Sequence, residues 1–179
     1  MEHTIRHFEE ELDQLKTRLL EMGGLAEEEV RLAIKGLVDR DSGLIDRVLA
    51  GDEPLNAMHI EIDNRCFTLL ALFQPMAADL RVIVSAVKIN TDLERVGDLA
   101  VNIAEAARRY ATHPPVKRLI DIPRMAMIAQ GMLRDALDAF VRRDTGLAQR
   151  VLDEDDTLDE LKTQTGGSGD DAITLSPLL

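Results

Sequence analysis

Glu94, Asp98, Asn102 and Glu105 are the residues of this chain whose types and spacing suit chemistry. Steps of four residues bring Glu94, Asp98 and Asn102 along one side of a helix. At roughly 100° per residue, Glu105 falls back between Glu94 and Asp98. The result is a ladder of oxygen donors. Such a ladder suits a hard or borderline cation such as magnesium, manganese, iron or zinc. One helix supplies too few ligands, so neighbouring helices have to add theirs. The acidic candidates are Glu27, Glu28, Asp52, Glu53, Glu61 and Asp63. The competing reading is structural: Glu94 and Asp98 pair with Arg or Lys from another helix, because ion-pair networks also place acids near a core.

The ladder needs a long helix, and the stretch from Gln74 to Tyr110 provides it. Gln74-Pro75 breaks the preceding pattern, and proline fits the first turn of a new helix. The next proline is Pro114. Leu80, Ile83, Val87 and Val101 project into the ladder's sector, while Val82, Val84, Ile89, Leu93, Val96, Leu99, Ala100 and Ile103 cover the other side. Two apolar sides predict a central helix with half-buried carboxylates. Lys88, Asp92 and Arg95 lie on another stripe, at the spacing of an intrahelical salt-bridge ladder.

Further helices must surround this one. Ile5, Phe8, Leu12, Leu15, Leu19 and Met22 recur at steps of three and four, and Ala26, Val30, Ala33, Ile34, Leu37 and Val38 continue the pattern past Gly23-Gly24. One long helix with a weak point is expected there. Asp39 to Gly43 reads as a turn, with Asp41 or Ser42 capping the next helix. That helix is interrupted at Gly51-Asp52-Glu53-Pro54 and carries on to Phe73. Met125, Ile128, Met132, Leu137 and Phe140 restart the pattern. No stretch alternates with period two, so the fold class is all-α: long helices joined by short turns, an antiparallel helical bundle.

The remaining features exclude more than they assign. A net charge of −12 argues against nucleic acid or an anionic lipid surface as a partner. No apolar run approaches the roughly 20 residues of a membrane span, and residues 1–12 lack the apolar core of a signal peptide, so a cytoplasmic chain without membrane insertion is expected. Cys66, the single cysteine, reads as a small buried hydrophobe. None of His3, His7, His59 and His113 follows a glutamate by three residues, which counts against an oxygen-activating di-iron bundle. Walker-type loops and nucleophile elbows are missing, so no catalytic or organic-cofactor residues are assigned.

The chain repeats itself. At an offset of 103 residues, eight of the nineteen positions from Asp41 to His59 are identical to those from Asp144 to Lys162. Ala33, Val38 and Arg40 match Ala136, Val141 and Arg143. One structural unit is thus used twice. The match ends after Lys162, where the counterpart of Met76 is Leu179, so the second unit lacks its long third helix. The expected organisation is a three-helix unit over 1–113, a linker over 114–122, an incomplete second unit over 123–164 and a disordered tail over 165–179. An uncovered half-unit would dock onto the first bundle, pair with another chain, or fray.

The run QPMAADLR, followed by Lys88, DLERVGD and NIAE, resembles the third helix of a PhoU domain, found in bacterial and archaeal regulators of phosphate transport. The resemblance implies a three-helix bundle occurring twice, here truncated in its second repeat. It also implies an E(D)xxxD motif that binds iron or zinc clusters, with Glu94 and Asp98 as the motif pair. By the same resemblance the protein is no enzyme. It is a cytoplasmic helical adaptor that restrains phosphate uptake and phosphate-starvation signalling. Its implied partners are a phosphate ABC transporter ATPase, a sensor histidine kinase and a second copy of itself. The alternative is a metal-dependent carboxylate-bundle enzyme or a metal-storage protein using the same acids.

Overall fold

The computed structural model describes residues 2–51, 53–114 and 119–166. The elements are α1 (Glu2–Asp39), α2 (Ser42–Ala50), α3 (Glu53–Phe73), α4 (Ala77–Ala111), α5 (Asp121–Arg142) and α6 (Thr145–Gly166). Among the described residues there is no strand, and the fold is the expected all-α bundle. None of these helices is long and apolar enough to cross a membrane.

Helix α1 runs unbroken through Gly23-Gly24. The helical weakness of glycine is offset by packing at Gly23, where a β-carbon would collide with the Leu137 side chain of α5. Past Asp39 the chain reverses at Arg40, which takes a left-handed conformation with φ of 55°. The Asp41 carboxylate then accepts hydrogen bonds from the Gly43 and Leu44 amides at 2.9 and 3.2 Å, capping α2. Gly51 ends α2, and α3 starts at Glu53 with Pro54 in its first turn, where no amide is needed.

The first unit consists of α1, the α2–α3 leg and α4. Leu15, Leu19 and Met22 of α1, Ile62, Cys66 and Leu69 of α3, and Ile83 and Leu93 of α4 form its main core. A second cluster joins Leu32 and Ala33 to Ile45 and Val48 of α2 and to Ala100, Ala104 and Ala107 of α4. Helix α4 is central in that it packs against α1, α2 and α3. It begins at Ala77 rather than at Gln74, because Gln74 and Ala77 both adopt positive φ (47° and 48°) and Met76 is extended. Pro75 therefore precedes the helix instead of entering its first turn.

Helix α5 docks on α1, and α6 packs on α5. Of the three fates open to the half-unit, docking onto the first bundle is the one seen. Leu137 is buried there, while Met125, Ile128, Met132 and Phe140 are half-buried. Glu27 of α1 accepts a bidentate pair of bonds from Arg134 of α5, and the Gln130 amide approaches the Glu27 carbonyl at 3.5 Å. Helix α5 starts at Asp121, inside the expected linker, of which residues 115–118 lie outside the described residues. Thr165 and Gly166 belong to α6, and the rest of the expected tail, 167–179, lies outside the described residues.

Candidate functional site

The ladder is built on the middle of α4. The stripe that faces the core is Ile83, Ala86, Asn90, Leu93, Gly97, Ala100, Ala104 and Ala107, spaced by alternating threes and fours. Each ladder residue stands beside this stripe rather than in it. Glu94, Asn102 and Glu105 are half-buried, and Asp98 is exposed. Of the residues expected to line two apolar sides of α4, Leu80 beside the ladder and Val84 and Leu99 on the other side are open, at 40%, 42% and 46% exposed, while Ile83, Leu93 and Ala100 are buried. Only one face of α4 is covered, so the ladder borders solvent instead of sitting between two packed sides.

Among the described residues no cation pairs with Glu94 or Asp98, so the structural alternative of an interhelical ion pair does not apply to them. Glu105 lies 3.9 Å from Arg109 on its own helix, and on the solvent stripe Asp92 lies 3.7 Å from Arg95.

Of the acids considered as additional ligands, Glu27, Glu28, Glu61 and Asp63 are engaged elsewhere. Glu27 holds Arg134. Glu28 is bonded twice at 2.7 Å by Arg31, which pulls its carboxyl below the usual carboxylate value. Glu61 is bonded by Arg18, with the same effect, and lies 3.8 Å from Arg65. Asp63 accepts from Asn90 at 2.9 Å. Glu53 begins α3, and Asp52 lies outside the described residues.

The acid that α1 brings to the ladder is Glu29. Its Oε2 lies 3.3 Å from where a β-carbon on Gly97 would stand, beside the step from Glu94 to Asp98. Sequence reasoning passed over this residue. The signal was present: Ala26, Glu29 and Ala33 follow the inward three-and-four spacing of α1, so Glu29 is an acid at a core position.

A metal needs its oxygens converging within about 2.0–2.6 Å of one point. Among the described residues no group of three or more His, Cys, Asp or Glu side chains is arranged to hold a metal ion. Glu94, Asp98, Asn102 and Glu105 therefore do not fit a closed metal centre in this arrangement. What they form is an acidic strip along the α1–α4 seam, in which Glu94 and Asp98 have no cationic partner among the described residues.

Asn90 is a second residue that sequence reasoning missed. It is fully buried on the core stripe and donates to the His59 carbonyl and to Asp63, both at 2.9 Å. The pair of bonds ties α4 to α3, and the remaining Asn90 acceptor, Oδ1, is buried with no hydrogen-bond partner among the described residues. Cys66 is buried beside this layer. Its thiol is pushed up to about 11, by burial first and by the Asp63 charge second. A thiol so placed is an apolar packing element, as its setting in the sequence suggested.

An all-α bundle with a repeated helical unit, one long small-residue helix at its centre and an open acidic strip describes a scaffold rather than a catalytic pocket. The chain belongs to the PhoU family: the PhoU domain matches residues 19–107 and 122–165, which lie in the two repeat units. It is 39% identical over 154 residues to a phosphate-specific transport system accessory protein PhoU homolog of Aquifex aeolicus, covering 86% of this chain and 70% of that one. With the corresponding homolog of Caulobacter vibrioides it shares 42% identity over 160 residues, 89% of this chain and 70% of the relative. The crystal structure of PhoU from Pseudomonas aeruginosa superposes with a TM-score of 0.82 at 38% identity, covering 88% of this chain and 76% of that one. The two homologs are named as accessory proteins of a phosphate-specific transport system.

Proposed function

We propose that this protein is a regulatory accessory component of phosphate uptake. It acts in the cytoplasm as a helical adaptor whose faces bind the ATPase of a phosphate ABC transporter and a sensor histidine kinase, as a homodimer. The observation that carries this reading is the PhoU domain over both repeat units, together with relatives named as transport-system accessory proteins. The geometry supports a binding role. Ile60 and Phe67 of α3 stand seven residues apart on one helix face, and each is about 60% exposed. Paired apolar anchors on a rigid helix suit a protein partner.

The test is a pull-down of the purified transporter ATPase and of the kinase's cytoplasmic domain, with wild type beside Ile60→Glu/Phe67→Glu. Wild type should retain both partners and the variant should lose at least one of them while keeping its helical spectrum. Failure of the wild type to retain either partner defeats the adaptor reading. In a strain lacking its own PhoU, expression of the chain should restore restraint of phosphate uptake.

A further inference from the structure

Helix α3 turns an uncharged face to solvent. Its charged side chains are turned sideways: Glu61 and Arg65 bond to Arg18 and Glu11 of α1, and Asp63 accepts from Asn90 of α4. The exposed residues from Asn56 to Leu72 carry no charge. In a chain whose residues are 30% charged this sets the face apart, and α6 shows the ordinary case, with Asp153, Glu154, Asp155 and Asp156 exposed. Ala57, Ile60, Asn64, Phe67 and Ala71 follow steps of three, four, three and four, the spacing of a helix–helix seam. Ile60 and Phe67 supply bulk, and the two alanines let another backbone come close. A helix that buries one side and leaves the other without a charged coat is built to be covered.

Charge and residue order specify the cover. A two-fold pair sets the same patch on both copies, so a charge at its centre meets its own twin. For a chain of net charge −12, an uncharged face escapes that repulsion. The stripe also reads alike in both directions. Ala57 and Ala71 stand seven residues to either side of Asn64, and Ile60 and Phe67 flank it within one turn. When two such helices run antiparallel, Ala57 faces the partner's Ala71, Ile60 faces the partner's Phe67, and Asn64 faces itself. An amide both donates and accepts, so two Asn64 side chains satisfy each other. One asparagine in an apolar seam fixes its register at a cost in stability.

We propose that α3 is the surface through which this chain pairs with a second copy, the two helices antiparallel about Asn64. The inference rests on the homodimer of the proposed function and gives that homodimer a face. The seam from Ala57 to Ala71 is about 21 Å long, small for a specific interface, so the pair should dissociate on dilution. It also covers Ile60 and Phe67, so a partner that uses these anchors has to displace the second copy.

Sedimentation velocity on the pure full chain, over a wide range of concentration, reads the pairing. Wild type should pass from monomer to dimer. Asn64→Asp and Asn64→Lys each set like charges face to face and should weaken the pair about tenfold or more, whereas an equal mixture of the two variants should restore it. Cysteines then place the copies. Asn64→Cys should give a covalent dimer on mild oxidation, as should a mixture of Ala57→Cys with Ala71→Cys. Ala57→Cys alone should not, because its two copies lie about 21 Å apart. Cys66 is buried, and wild type is the control for it. A wild type that dimerises but is indifferent to both charge variants, with no Asn64→Cys cross-link, overturns the inference and leaves the homodimer on another face. Self-cross-linking of Ala57→Cys overturns the antiparallel arrangement. A wild type that stays monomeric at every concentration overturns the inference and the homodimer alike.

Discussion

Leu55 of α3 occupies the space into which any side chain on Gly97 of α4 would project. Leu55 is fully buried, so it has no solvent to move into. An alanine at position 97 gains about 1 kcal/mol of helix propensity over glycine. Overpacking a filled core costs about 1–3 kcal/mol. Gly97→Ala should therefore destabilise by about 1 kcal/mol net, and Gly97→Val by more. The Leu55→Ala/Gly97→Ala pair should be less destabilised than the sum of the single variants. Urea unfolding of the four proteins checks this, and strict additivity would mean that the two residues do not share the space.

Arg40 links the turn after α1 to the end of α4, and its guanidinium also lies 5.2 Å from the centre of the Tyr110 ring. Arg40→Ala removes carbonyl bonds and ring contact together and should cost about 1–3 kcal/mol. Arg40→Gly loses the same bonds but relieves the left-handed backbone, a gain of about 1 kcal/mol. The glycine variant should melt between wild type and the alanine variant. Calorimetry that ranks glycine below alanine would show that the backbone at this turn is unstrained.

Much of this frame could be read from residue periodicity and the repeat, and the failures have physical causes. Apolar spacing marked the helices because each buries one stripe. Periodicity could not show which positions at the edges of the two apolar sides of α4 meet a partner, so Leu80 beside the ladder and Val84 and Leu99 on the other side were expected against protein and lie open. The start of α4 was misplaced because proline fits either just before a helix or within its first turn. Glu29 and Asn90 were legible as polar residues at core spacing. They were passed over because attention went to acids repeating along one helix, whereas these two act across helices.

The Arg18 bond to Glu61 joins α1 to α3 and lowers the Glu61 carboxyl below its ordinary value of 4.5. A carboxyl with a depressed folded value stabilises the fold above the unfolded value, and that contribution is lost as pH falls through the folded one. Glu61 should thus contribute fully above pH 4.5 and progressively less below it. Arg18→Gln should flatten the acid limb of the stability curve measured in urea from roughly pH 3 to 6. Both groups are partly exposed, so the effect should be small and reduced by added salt. An unchanged acid limb would remove Arg18 as the cause.

Cys66 gives a direct reading of bundle opening. It is buried, and its thiol value of about 11 leaves little thiolate at neutral pH. In the native protein at about pH 8 a thiol-specific disulfide reagent should label it only as fast as the α1–α3–α4 core opens. The same reagent should label the urea-unfolded chain at once. Prompt labelling of native protein would show that this core is open in solution.

The acidic strip decides how metal chemistry stands in this chain. Glu94 and Asp98 repel each other across one helical turn, Glu29 of α1 lies beside Gly97, and no cation of the described residues pairs with Glu94 or Asp98. Such a strip attracts cations, but its donors do not converge, so each ion would keep most of its water. Weak, salt-sensitive binding of iron, zinc, magnesium or manganese is expected at Glu94, Asp98, Asn102 and Glu105, not stoichiometric metal that survives desalting. Glu94→Gln/Asp98→Asn should abolish that weak binding. It should also stabilise the helix by a few tenths of a kcal/mol, because a like-charge pair four residues apart is removed. Elemental mass spectrometry on untagged protein, before and after desalting, with thermal melts of both chains, tests the two claims together. Near-stoichiometric metal retained by wild type and lost by the variant would show that donors outside the described residues close the ladder into a true centre. Metal at trace level in both chains, with the variant melting higher, would leave the strip as a charged face for a partner to neutralise.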